Sequence, residues 1–73
     1  MTEKPDELKK LVAIATDLDL TADLRIKAAE RIGNVGTHDA LLLLLDLAGR
    51  ENLGREERER ALKYAREIIK SER

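Results

Sequence analysis

An all-α fold of four helices is predicted by three features of the sequence. Apolar residues recur at spacings of three and four, the helical period, in four successive segments. Short breaks holding Asp, Thr, Gly or Asn separate them. No segment carries a strand signal. The predicted helices cover about 5–18, 22–33, 38–49 and 55–70 of the single domain 1–73, arranged as two antiparallel hairpins.

The first helix places Leu8, Leu11, Val12, Ala15 and Leu18 on one face. Thr2 or Lys4 precedes its first turn, where Pro5 is tolerated because the first amides have no acceptor within the helix. The second helix starts after Thr21, whose hydroxyl can cap free amides, with Asp23 at the positive end of the dipole and Leu20 as a staple. Leu24, Ala28 and Ile32 form its main stripe, widened by Ile26 and Ala29. Gly33 is the expected left-handed terminator, with Val35 folding back as its apolar closure.

Thr37 is the expected cap of the third helix, and Gly49 or Asn52 its end. Leu41 to Leu45 are consecutive leucines, followed by Leu47 and Ala48. Such a run covers more than one face, so this helix is expected at the centre, touching the other three. Leu42 shares a face with His38, Asp39 and Asp46 and is expected to be covered. The fourth helix follows Leu53 and Gly54, which repeat the arrangement of Leu20 and Thr21. Ala61, Leu62, Tyr64, Ala65, Ile68 and Ile69 make its apolar face. Its outer face offers Arg55–Glu59, Glu56–Arg60, Glu59–Lys63 and Lys63–Glu67, each exposed pair adding only ~0.2–0.5 kcal/mol.

Composition narrows the function classes. The chain has 73 residues, no Cys, one His and one aromatic residue, Tyr64. This excludes a disulfide framework, thiolate chemistry and a Cys/His zinc site. The net charge is -1. Residues 1–36 hold six basic and seven acidic groups, and residues 37–73 eight of each, so neither half is a basic arm. That balance argues against nucleic acid, where a basic surface supplies most of the affinity. No apolar run approaches the ~20 residues of a membrane span, and the polar start gives no secretory signal. A cytoplasmic setting is the expectation.

A repeat is visible at a shift of 33 residues. Between 6–32 and 39–65, seven of 27 positions match without a gap, among them Leu8/Leu41, Leu11/Leu44, Ala15/Ala48, Leu20/Leu53, Arg25/Arg58 and Ala28/Ala61. Within 19–36, the run Asp19-Leu20-Thr21-Ala22-Asp23-Leu24-Arg25, then Ala28-Ala29 and Ile32-Gly33-Asn34-Val35-Gly36, resembles the second helix of a HEAT repeat. Ala40 to Ala48 resembles the first helix of a following repeat. The resemblance implies stacked helix pairs, a scaffold or protein-binding role, and an Arg that bridges to an acid of the neighbouring repeat. Glu57-Arg58 departs from the family's aliphatic-Arg pair, which suggests a solvent-facing terminal cap. The run Glu56 to Glu67 also resembles the helices of computationally designed proteins in its charge pattern and aliphatic core.

Candidate sites are few. His38 stands beside Asp39 with no Ser, Cys or second His placed to complete a nucleophilic constellation, and reads as a solvated first-turn residue. Asp17, Asp19 and Asp23 surround a loop, but Leu18 and Leu20 interrupt it and no turn glycine serves a calcium site, so capping is the expected role. Gly33-Asn34-Val35-Gly36 lacks the Lys, Ser/Thr and preceding strand of a phosphate loop. No catalytic, cofactor-binding or metal-binding residue is expected, and no enzyme activity. The leading expectation is a designed, monomeric helical fold with no natural function, no cofactor and no partner. The alternative is a HEAT-like protein–protein interaction module or a fragment of a longer array. A binder would leave an apolar patch rimmed by charge near Leu42 or Tyr64.

Overall fold

The computed structural model describes residues 4–71, with side chains from Glu7 to Ser71. Thr2, expected before the first turn, lies outside them. Four helices run in order, α1 (Lys4–Ala15), α2 (Ala22–Val35), α3 (His38–Ala48) and α4 (Arg55–Ser71), and no strand occurs among the described residues. The all-α expectation is met. α1 packs on α2, α2 on α4, and α3 on α4 and α2, whereas α1 and α3 meet only along a narrow edge.

The caps follow the sequence where a hydroxyl is available. Thr21 accepts from the Leu24 amide at 3.3 Å and Thr37 from the Ala40 amide at 3.2 Å. α4 uses another device: the Glu57 carboxylate reaches back to the Gly54 amide at 3.2 Å. One free donor is thereby satisfied by a side chain within the first turn. α3 ends at Gly49, whose amide turns back to the carbonyls of Leu45 and Asp46.

Two helix ends differ from expectation. α1 stops at Ala15 instead of running to 18. The Thr16 hydroxyl donates to the Val12 carbonyl at 2.8 Å, and the Asp17 carboxylate accepts the Asp19 amide at 2.9 Å. Such local bonds offer the backbone an alternative to the helix. Leu18 therefore leaves the apolar face and is exposed. α2 continues through Gly33 to Val35, and Gly36, at φ 72°, is the left-handed residue. Gly33 has a packing role instead: a Cβ there would lie 3.0 Å from Tyr64 Cβ. Its missing side chain lets α2 and α4 approach closely.

The core is one cluster spanning all four helices. Ile32, Leu44 and Leu47 are its largest fully enclosed side chains, with Ala61 and Ala65 of α4 beside them. The centre is thus shared by α2 and α3. As expected, α3 touches the other three helices, but the leucine run is not covered all round. Leu41 and Leu44 are buried, Leu43 is half-buried, and Leu42 and Leu45 face solvent. Five consecutive residues sweep more than a full helical turn, so a helix with one side open to solvent must expose some of them. Leu24, expected in the main stripe of α2, and Leu62 and Ile69, expected on the apolar face of α4, are likewise exposed.

Candidate functional site

A sizeable apolar concavity lies where α1 and α3 fail to close on each other. Leu8, Lys9 and Val12 of α1 and Asp39, Leu42 and Leu43 of α3 line an open groove of about 430 Å³. Leu8 belongs to the core and forms the floor, with Val12 and Leu43 packed against that core. Leu42 stands at the lip, 52% exposed, so the expectation that it is covered is overturned. The rim carries opposite charges, Lys9 on one helix and Asp39 on the other. The groove thus combines an apolar floor, an apolar lip and a rim of opposite charges.

The reason is sequence register. Leu42 matches Lys9 in the internal repeat and Leu43 matches Lys10. The α3 segment therefore carries leucines where α1 carries solvated lysines. A larger concavity of about 540 Å³ lies between α1 and α2. Glu7, Lys27, Glu30, Arg31 and Asn34 line it with only Val35 as an apolar wall, so it offers no anchor. Tyr64, the other expected patch centre, is buried against Gly33, and its hydroxyl accepts from Arg60 Nη1 at 3.4 Å. No patch forms there.

The strongest polar feature is the Arg25–Glu57 pair joining α2 to α4. Arg25 Nη2 donates to Glu57 Oε2 at 2.7 Å and Nε donates to Oε1 at 3.2 Å. The same guanidinium donates from Nη1 to the Leu20 carbonyl at 2.6 Å and to the Asp17 carbonyl at 3.3 Å. The planar fork thus ties the α1–α2 loop to the first turn of α4, a geometry that lysine could not reproduce. The hydrogen bond from Arg25 holds the Glu57 carboxyl below the usual carboxylate range, opposed by partial burial and helped by the Gly54 amide. Glu57, expected on a solvent-facing cap, is instead 7% exposed. An arginine contacting an acid of the other helix pair was expected at Arg25; its bidentate partner at the third residue of α4 was not.

The remaining candidates stand apart. His38 and Asp39 are exposed in the first turn of α3. Asp17, Asp19 and Asp23 do not gather, and no group of three or more His, Cys, Asp or Glu among the described residues could hold a metal ion. Gly33 and Gly36 belong to the end of α2 and its cap. No helix among the described residues is long and apolar enough to cross a membrane. No family model, curated protein or solved structure matches the chain.

Proposed function

We propose that the chain is a helical protein–protein interaction module. Its helices pair as two antiparallel hairpins stacked in the HEAT manner, and the α1–α3 groove takes an apolar side chain from a partner helix. The observation that carries this reading is half-exposed Leu42 over a floor of Leu8, Val12 and Leu43, between Lys9 and Asp39. An aliphatic anchor would fill the groove, and its neighbours would pair with Lys9 and Asp39. The stacking is supported by helix boundaries that coincide at the 33-residue shift: Ala15 with Ala48 at the ends, and Ala22 with Arg55 at the starts. No catalytic step or cofactor enters this reading.

A second reading is a designed fold whose product is its own stability. The agreement of cap, turn and core at most positions favours it, since consistency across levels marks a sequence chosen for its fold. One experiment separates the two. Proteins captured by the purified chain are purified and titrated against wild type, Leu42→Glu and Ile69→Glu. Both substitutions fall on exposed side chains, and Ile69 lies outside the groove. The interaction module predicts at least a tenfold weaker Kd for Leu42→Glu and an unchanged Kd for Ile69→Glu. Capture that is indifferent to Leu42→Glu contradicts the groove, and no stable capture by wild type leaves the partnerless fold.

A further inference from the structure

The two helix pairs correspond bond by bond in their loops. The Leu20 amide donates to the Asp17 carbonyl at 3.1 Å, and 33 residues later the Leu53 amide donates to the Arg50 carbonyl at 3.3 Å. The Arg25 amide donates to the Thr21 carbonyl at 3.2 Å, and the Arg58 amide to the Gly54 carbonyl at 3.1 Å. One face nevertheless meets two different fates. On the α1–α2 pair it is covered: Ala15 and Ala29 are 3% and 4% exposed, and Arg25 grips Glu57. On the α3–α4 pair it is open: Ala48 is half-buried, while Leu62 and Leu45 are 37% and 42% exposed.

Arg58 sits on that open face without a hydrogen-bond partner among the described residues. Its Nε is buried and makes no hydrogen bond, although a buried donor is costly to leave unmet. The nearby Glu59 carboxylate is engaged by Arg55 at 3.1 Å. Ala48, Arg55, Arg58, Glu59 and Leu62 line an open groove of about 230 Å³. Ala15, Arg25 and Ala29, the counterparts of Ala48, Arg58 and Leu62, belong to the covered face.

We propose that this outer groove docks a helix of a partner protein that presents a glutamate in its first turn, with Arg58 gripping the carboxylate as Arg25 grips Glu57. The site is separate from the Leu42 groove and does not rest on its assignment. Charge complementarity selects the occupant, since Arg58 lacks an acceptor and the matched arginine shows which acceptor satisfies it. A second copy of the chain does not present that acceptor in register. Its outer α1–α2 groove, lined by Leu11, Ile14, Leu24 and Ala28, matches the α3–α4 docking face at Leu44, Leu47 and Ala61, but it carries Leu24 where α4 carries Glu57.

That mismatch supplies the probe. Leu24 is exposed, so Leu24→Glu is tolerated and converts the end face of a second chain into a copy of the α3–α4 docking face. The unlabelled probe chain carries Leu24→Glu and Arg58→Gln, so it offers only the carboxylate. It is titrated into 15N-labelled wild type and followed by NMR. The expected result is a shift of the Ala48 and Leu62 amides and the Arg58 Nε–H. Binding should be at least tenfold tighter than with a probe that keeps Leu24, and the gain should vanish when the labelled chain is Arg58→Gln. Labelled Arg58→Glu with an unlabelled Leu24→Arg probe should recover binding. No tenfold gain, a gain that survives Arg58→Gln, or equal binding by the Leu24 probe overturns the proposal. Melting curves of each variant by circular dichroism verify that all are folded.

Discussion

Arg25 and Arg58 occupy matched places in two matched helix pairs, yet among the described residues one is the best-connected side chain and the other has no hydrogen-bond partner. Arg25 makes four hydrogen bonds, to Glu57, Leu20 and Asp17. Arg58 leaves a buried Nε unmet. Their first-turn backbone bonds correspond, so local sequence does not set the difference. It follows from what lies against each face: α4 packs on α2 at Arg25, and none of the described residues covers the open groove at Arg58. An arginine in such a register is therefore a connector whose worth depends on an acid supplied from elsewhere.

The largest effect expected from breaking this comparison is in the core beneath it. Leu44 is fully buried, so Leu44→Ala should destabilise by about 2–5 kcal/mol in urea unfolding. Leu11→Ala, at the matched but less enclosed position, should cost less. Equal losses would mean that the inner face of α3 is no better enclosed than the matched outer face of α1.

Next comes the pair itself. Glu57→Ala removes the acceptor of two Arg25 bonds and the Gly54 cap, and should cost about 1.5–3 kcal/mol. Because Glu57 has a depressed pKa in the fold, its contribution is present above the unfolded glutamate value of about 4.3. It is lost as pH falls through the lower folded value. Wild type should therefore lose more stability than Glu57→Gln on acidification through that window, and parallel acid limbs would contradict the pair.

Gly33→Ala tests the close approach of α2 to α4. Alanine favours the helix by about 1 kcal/mol, but its Cβ would crowd Tyr64 Cβ at 3.0 Å, and overpacking costs about 1–3 kcal/mol. A net loss is expected in thermal melts, whereas a gain would show that the two helices can separate without penalty. The smallest loss belongs to Arg58→Ala, which breaks no hydrogen bond among the described residues and removes a buried donor that is unmet, so it should not destabilise by more than about 0.5 kcal/mol.

Much of the fold was legible in the sequence because local rules decided it. Thr21 and Thr37 cap the helices they precede, and Gly49 ends α3. Helical periodicity placed Leu8, Leu11, Ala28, Ile32, Ala61 and Ile68 in the core. What failed required the third dimension. Gly33 looked like a terminator, but tertiary contact with Tyr64 made it an interior residue and passed the left-handed role to Gly36. Leu42 looked covered because a leucine run implies a central helix, yet α3, though it touches the other three helices, keeps one side open where α1 meets it only narrowly. The charged start of α4 looked like a solvated surface. Only packing of α2 on α4 shows that Glu57 answers Arg25, and the matched Arg25/Arg58 pair was the one sequence signal that could have found it.

The most direct test of the connector account is an NMR titration of the Glu57 side-chain carboxyl. The account predicts a midpoint below the ordinary glutamate range, raised toward it by Arg25→Gln and unmoved by Arg58→Gln. An ordinary midpoint in wild type, or one that responds to Arg58→Gln instead, would contradict it.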